Sequence, residues 1–306
     1  MNFFNYKSSS GRNVRCLHFN NMEQCSAAPV KHADSWKKTI ARDEEFNRRT
    51  NWFGLPSRVQ LVKAASEGWE DGEARMREMG EELLKDEEII VGQSVSSHKR
   101  RKRRRGDHGM SIDMDRVYNG QLDTAWTRMQ HVQKVMQSPK NVCVYIDVAC
   151  LGGVKPSETL WRGAVAFIIT DILIKEGYSV KVVVGGTSRD VLVNDTGNDV
   201  TCTSVTIKDY MSGINPKTLA VACSAGYHRH FNFRMRNMFD KPPREDYGKT
   251  IKDHTILPED LRRDVEAGVK VIHIDNDLCS KYSAKTKVKA VLEDLRKDVV
   301  TNLVQR

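Results

Sequence analysis

Three acidic residues follow the predicted buried strands in the second half of the chain. Asp147 comes directly after the apolar run at 142–146, and Asp275 and Asp277 come after a second apolar run at 269–274. Open α/β sheets bind ligands at the carboxyl ends of their parallel strands, so we expect these carboxylates to lie at one edge. Converging carboxylates could hold Mg²⁺ for phosphoryl transfer, as in nucleases. The alternative is that they cap loops and helices; no general base or nucleophile stands out beside them, so we favour a protein that is not an enzyme.

An uninterrupted run of cations precedes this region. Its members are Lys99, Arg100, Arg101, Lys102, Arg103, Arg104 and Arg105. Adjacent cations repel one another and cannot all be buried, so the run is predicted to be exposed. We favour contact with nucleic-acid phosphates, which gives an affinity that falls as salt is added. A solvated tether and a nuclear localisation signal are the alternatives.

A second basic stretch, at 227–238, has cations interleaved with aromatic rings. The residues that could contact nucleic acid are Arg229, Phe231, Phe233, Arg234 and Arg236. Rings that stack on bases and arginines that follow phosphates are typical of proteins that bind single strands. A helix with an aromatic core face and a basic solvent face would have the same sequence, and the residues alone do not decide between the two.

The elements that must position these residues are clearest at 141–186. A short apolar run at 142–146 predicts a buried parallel strand. Pro156 and the residues after it indicate the start of a helix, which continues to about Gly177. A Val-rich strand follows at 179–184, and the three elements predict a right-handed βαβ unit.

The remaining chain divides by composition and periodicity into further segments. We predict a flexible amino-terminal arm at 1–34, a helical region at 35–94, a basic linker at 95–110, a connecting helix at 111–139 and an α/β domain at 140–306. Within the helical region, Ser57 and Gln60 match a capping box, so a helix should begin at Arg58 and bury Val59 and Leu61. The fold class predicted is α/β, with a doubly wound, mostly parallel carboxyl-terminal sheet preceded by the helical region.

Composition limits the class of partner and the compartment. The 49 Lys and Arg residues exceed the 40 Asp and Glu residues, so the net charge is +9 and favours an acidic partner. The seven cysteines form no CxxC pair, which argues against a disulfide framework or a zinc ribbon and for a reducing compartment. No apolar run reaches the ~18 residues of a membrane span, and the amino terminus lacks a secretory signal. We predict a cytoplasmic protein, or one that acts inside a virion or nucleus, without a membrane partner.

The carboxyl-terminal half resembles the von Willebrand factor A-like domain in its order of elements and in the segments VCVYID and LIKEGYSVKVVVGG. That domain usually holds a metal ion through Asp-x-Ser-x-Ser on its first loop. In this sequence Asp147 matches the first position, but Ala149 and Leu151 replace both serines. The resemblance therefore implies a degenerate site that binds Mg²⁺ weakly or not at all, and it implies no other cofactor.

The segments LPSRVQLVKAASEGWEDG and RRGDHGMSIDMDRVYNGQLDTAW also resemble an uncharacterised family found mostly in phages and bacteria. This resemblance implies a phage protein but no chemistry. We therefore predict a non-enzymatic, phage-encoded accessory protein that binds single-stranded or duplex DNA and assists a transcription or replication enzyme such as a polymerase. The first alternative is a protein-interaction module whose A-like domain docks on an ATPase or a virion component. A Mg²⁺-dependent nuclease is the least favoured alternative.

Overall fold

The computed structural model describes residues 1–28, 33–85, 102–106, 111–130, 140–150, 153–189, 199–236, 238–239 and 254–304. Its strands are β1 (Asn2–Lys7), β2 (Asn13–Phe19), β3 (Lys102–Gly106), β4 (Ser111–Ile112), β5 (Trp126–Gln130), β6 (Asn141–Asp147), β7 (Ser179–Arg189), β8 (Asp199–Lys208) and β9 (Lys270–Ile274). Its α-helices are α1 (Met22–Ala27), α2 (Ala33–Thr50), α3 (Arg58–Glu67), α4 (Glu70–Lys85), α5 (Met114–Tyr118), α6 (Pro156–Lys175), α7 (Pro216–Ala222), α8 (Phe233–Arg236), α9 (Glu259–Glu266) and α10 (Lys281–Val304). A 3₁₀ turn covers Leu122–Thr124, and a π-helix covers Tyr227–Asn232.

The chain forms two compact units. Residues 1–90 and 140–306 make the first unit, and residues 91–139 make the second. The amino-terminal region and the carboxyl-terminal half therefore share one unit. This differs from the predicted division, in which a helical region precedes a separate α/β domain.

A six-stranded, mostly parallel sheet lies in the first unit, in the order β1-β2-β8-β7-β6-β9. Strand β6 pairs in parallel with both β7 and β9, so that Val144 lies opposite Val182 and Ile272. Helix α6 connects β6 to β7 and begins at Pro156, which confirms the predicted βαβ unit. Strand β8 then returns antiparallel to β7.

Both faces of the sheet are covered, which explains why the sequence of β6 is almost continuously apolar. Val144 and Ile146 belong to the large core cluster that also contains the apolar residues of α6, and helices α4, α7 and α10 pack against α6. Cys143 lies on the opposite face, where it packs with Leu261 of α9. The strands therefore separate a thick helical layer from a thinner layer that includes α9.

The predicted flexible arm at 1–34 is wrong, because its residues extend the sheet. Strand β2 pairs in parallel with β8, and β1 pairs antiparallel with β2. Leu17 and Phe19 of β2 are buried in the main core. Burial of these side chains and the hydrogen bonds to β8 hold a segment whose own sequence is too polar to indicate a strand.

Helices α3 and α4 follow one another in the chain, and both pack against α7. The Ser57 hydroxyl accepts the backbone N–H of Gln60 at 3.3 Å, so the predicted cap is confirmed. Leu61 is fully buried, but Val59 is 73% exposed and does not face the core as expected. None of the described helices is both long and apolar enough to cross a membrane.

The second unit contains a three-stranded antiparallel sheet in the order β3-β5-β4. The predicted linker at 95–110 thus contains a strand, although Lys99, Arg100 and Arg101 lie outside the described residues. The predicted connecting helix at 111–139 is wrong as far as it is described, because this segment forms β4, α5, the 3₁₀ turn and β5. Its apolar spacing suited a helix, but pairing with β3 satisfies the backbone of 126–130 in a strand instead.

Candidate functional site at the carboxyl edge of the sheet

Asp147 ends strand β6 and is half-buried. One carboxylate oxygen accepts the backbone N–H of Ala149 at 2.9 Å, and the other accepts the Asn276 side-chain amide at 3.3 Å. Burial raises the pKa of Asp147 from 3.8 to about 6, and the charge of Asp275 adds to this effect. The Ala149 N–H, Arg162 and Arg236 oppose the rise in pKa. The carboxyl group therefore titrates closer to neutrality than an exposed aspartate does.

Arg162 of α6 links the loops that follow β6 and β9. The side chain is fully buried. Its Nη1 donates to the carbonyl oxygens of Asp147 at 3.3 Å and Ala149 at 3.1 Å. Its Nη2 donates to the carbonyl oxygen of Asn276 at 2.5 Å and contacts Cys279 Sγ at 3.2 Å. A single guanidinium thus fixes the relative position of the two loops that carry the candidate acids.

Asp275 follows β9 and contacts His254 and Lys287. Its Oδ1 lies 2.9 Å from His254 Nε2, and its Oδ2 accepts a hydrogen bond from Lys287 Nζ at 3.0 Å. Burial alone would raise the pKa of Asp275, but Lys287 and His254 together lower it below the usual value. Asp277, two residues later, is exposed.

The predicted metal site is not assembled in the part of the chain that the structure describes. No three His, Cys, Asp or Glu side chains there lie close enough together to hold an ion. Asp147 and Asp275 do lie at the same sheet edge, as the strand order predicts. Their oxygens, however, bind the protein's own N–H groups, His254 and Lys287.

The basic and aromatic segment at 227–236 lies inside the first unit. Arg229, Phe231 and Arg236 are at most 2% exposed, and Phe233 and Arg234 are half-buried. This burial corrects the prediction of an exposed nucleic-acid path, and equally the alternative of a helix with a basic solvent face. The segment is a π-helix that continues into α8, and both sides of it are covered by protein.

Backbone carbonyls account for the burial of two of these arginines. Arg229 donates through Nη1 to Trp52 O at 2.5 Å and through Nη2 to Val154 O at 2.7 Å, and its guanidinium lies over the Trp52 ring. Arg234 donates to the carbonyl oxygens of Ser26 and Ala28. Because a guanidinium has five N–H donors in one plane, it can satisfy several carbonyls that would otherwise be buried without partners. These arginines therefore join the amino-terminal segments to the sheet.

A close approach between the π-helix and β7 depends on a glycine. Asn232 donates from its amide nitrogen to His228 Nδ1 at 3.1 Å and accepts a hydrogen bond from the Thr203 hydroxyl. A Cβ atom at Gly186 would lie 2.5 Å from the Asn232 amide nitrogen. Burial lowers the pKa of His228 far below its usual value, and nearby arginines lower it further, so this imidazole is neutral.

Comparison with known protein families assigns the chain to one of them. A family model described as Domain of unknown function (DUF7192) matches residues 7–299. The chain belongs to the DUF7192 family. No curated protein matches it, and no solved structure does.

The match to DUF7192 covers nearly all of both units, from the end of β1 to α10. The family description gives no activity, so the function of this DUF7192 protein must be argued from its own residues. Sequence reasoning found Asp147 and Asp275 but missed Arg162 and His254. The signal for Arg162 was an isolated cation in a largely apolar stretch, and no motif marks His254.

Proposed function

We propose that this DUF7192 protein is a non-enzymatic accessory protein that binds nucleic acid through its second unit. The observation that carries the proposal is the position of Lys102–Arg105 in a paired β-strand. The run is thus part of regular structure, in which each residue has a defined place. The register also sets Arg104 directly opposite Arg128 of β5.

Strand geometry makes these cations suitable for a polyanion. Alternate residues of a strand lie on the same face and repeat about every 6.7 Å. Like charges placed directly opposite each other destabilise an antiparallel pair. A bound phosphate backbone would offset this repulsion between Arg104 and Arg128, and release of its counterions would favour binding. A charged segment that serves only as a spacer has no need to pair with another strand.

The same unit exposes apolar and aromatic side chains. Tyr118 at the end of α5 is 81% exposed, and Met114, one helical turn earlier, is 48% exposed. Leu122 in the 3₁₀ turn is 60% exposed. An exposed ring in the same unit as a basic strand suits the stacking of unpaired bases, so the proposal includes single-stranded as well as duplex DNA.

The proposal extends to the fold family, the origin and the partner. The strand order β8-β7-β6-β9, with β8 antiparallel, supports a von Willebrand factor A-like arrangement in the first unit. In that arrangement Asp147 is the remnant of a metal site, and Ala149 offers its backbone N–H to the carboxylate. We propose a phage-encoded protein that acts in the host cytoplasm and holds DNA near a polymerase.

Binding across a salt series tests the proposal. Purified full-length protein is titrated with labelled single-stranded and duplex DNA between about 50 and 200 mM salt. The test variant replaces Lys102, Arg103, Arg104 and Arg105 by glutamine. If all four contact phosphates, the slope of log K against log salt should become shallower by about 3 for single strands and about 4 for duplex.

A matched variant controls for net charge. It replaces four exposed helix cations of the first unit by glutamine: Arg42, Arg49, Lys63 and Lys175. This variant should keep the wild-type affinity and slope. Equal loss in both variants, or no DNA binding by the wild-type protein, would contradict the proposal and make the protein-interaction module the better account.

A further inference from the structure

A cavity of about 520 Å³ opens on the face of the sheet that α9 covers. Small-molecule sites generally have volumes of about 300–1,000 Å³ and combine apolar walls with a few polar groups. The lining has this character, with apolar side chains from α9 and β9 and polar ones from the end of β1 and the segment before α9. The lining includes Tyr6, Lys7, Ser8, His254, Arg262 and His273.

The walls of this cavity are held together by Tyr6. Its hydroxyl donates to Leu257 O at 2.6 Å and accepts the Leu257 N–H at 3.0 Å. The Arg262 guanidinium lies 4.1 Å above the Tyr6 ring. These contacts connect β1, the segment before α9 and α9 itself. The cavity therefore exists without a ligand, which lowers the entropic cost of binding one.

Two stacked imidazole rings form one part of the wall. The rings of His254 and His273 are parallel within 8°, with centroids 4.3 Å apart. Tyr145 packs against His273 from the inner side, and Asp275 holds the outer ring through its contact with His254 Nε2. The His254 side chain is 58% exposed. Its ring is thus fixed in orientation and accessible, which suits stacking against a flat heteroaromatic ligand.

Cations predominate among the charged groups of the lining. Lys7 is exposed and forms no ion pair within the part of the chain that the structure describes. Arg262 forms a long ion pair of 3.7 Å with Glu266, the acid of the lining. Burial lowers the pKa of His273 to about 4, so this ring is neutral near pH 7. Serine hydroxyls of the turn after β1 lie beside Lys7, so this end of the cavity suits an anionic oxygen group.

We propose that this cavity binds a nucleotide, with the base stacked on His254 and the phosphate at Lys7. The proposal does not depend on the basic strand, which belongs to the other unit. The nucleotide is either free or part of a single strand, since the recognised chemistry is the same.

Titration of the full-length protein with AMP, GMP, CMP and UMP, followed by calorimetry, tests the site. At least one nucleotide should bind, and its nucleoside and inorganic phosphate should each bind about tenfold more weakly. His254→Ala should weaken nucleotide binding by about tenfold because stacking is lost, whereas His254→Phe should restore most of it. Lys7→Gln should weaken binding of the nucleotide but not of the nucleoside. Lys175→Gln, on the exposed surface of α6, serves as the control.

Two results would overturn the proposal: no binding of any of the four nucleotides at millimolar concentration, or unchanged affinity in His254→Ala. The glutamine variant of Lys102–Arg105 separates this site from the proposed DNA contact, because it should bind mononucleotides as the wild type does. In that variant, competition between the nucleotide and a single-stranded oligonucleotide would identify the strand as the natural source. Mononucleotide binding without competition would identify the free nucleotide.

Discussion

Two basic stretches of this chain have similar compositions but different local structures. The run at 102–105 lies in a strand of the small second unit, whereas the arginines of 227–236 lie inside the first unit. The lower charge density of the segment at 227–236 allows its arginines to be buried. Adjacent cations cannot all find buried partners, but Arg229 and Arg234 are separated by enough chain for each guanidinium to reach its own pair of carbonyls. Interleaved aromatics and arginines are thus no sufficient sign of a nucleic-acid surface.

Replacing a buried arginine should give the largest effect on stability. Arg229→Met leaves the carbonyls of Trp52 and Val154 without their donors, so the free energy of unfolding should fall by about 3 kcal/mol in urea titrations. Arg42→Met, at a side chain that is 79% exposed, should change it by less than about 0.5 kcal/mol. Similar losses in the two variants would remove the distinction between interior and surface cations.

Asp147 lies near the buried arginines Arg162 and Arg236, and its burial should affect stability in a way that depends on pH. Its folded-state pKa of about 6 exceeds the ordinary 3.8, so between these pH values the folded protein keeps a proton that the unfolded chain has lost. The contribution of this group to stability therefore falls as pH rises from about 4 to about 6. Asp147→Asn should match the wild type at pH 4 and be more stable by about 2 kcal/mol at pH 7. Parallel curves of unfolding free energy against pH would contradict this.

Arg234 is half-buried and should give an intermediate effect. Arg234→Ala removes the donors to the carbonyls of Ser26 and Ala28 at the end of α1, at a cost of about 1–2 kcal/mol. The loss should appear as faster hydrogen exchange in α1, while DNA affinity per folded molecule stays unchanged. Weaker DNA binding at unchanged stability would instead support the original prediction that this segment contacts nucleic acid.

The smallest effect is expected in the basic strand itself, with the opposite sign. Arg104→Glu places an acid opposite Arg128, so the β3–β5 pair should gain about 0.5 kcal/mol. Arg103→Glu is the matched control because Arg103 lies opposite Met129. We expect slower amide exchange in β3 and β5 for Arg104→Glu alone, and weaker DNA binding in both variants. This result would support a strand whose cations contact phosphates although they lower its stability.

The sequence predicted those elements whose stabilising contacts are local. The βαβ unit at 141–186 has its apolar runs, its Pro156 start and its Gly177 end within a single stretch, and all appear in the structure. Strand β2 escaped prediction because it is held between β1 and β8, and β8 lies far along the chain. Strand β5 escaped because its apolar spacing also fits a helix, and only the hydrogen bonds to β3 select the extended form.

The candidate site was predictable only in outline. Strand order places Asp147 and Asp275 at one edge, but no rule of spacing indicates that Arg162 links their loops or that Asp275 orients His254. Such contacts depend on side-chain positions set by packing. The burial of the five residues expected to contact nucleic acid was equally unpredictable. An arginine and the distant backbone carbonyl that it binds have no common pattern in the sequence.

The pairing of β2 with β8 has a consequence for the newly made chain. His18 and Ser204, hydrogen-bonded at 2.8 Å, are 186 residues apart. A ribosome adding about 5–20 residues per second therefore exposes β1 and β2 for roughly ten to forty seconds before β8 is available. A two-stranded hairpin is only marginally stable alone. This hairpin is thus secured only after β8 has been made, and in that interval it is open to proteases, chaperones and other nascent chains.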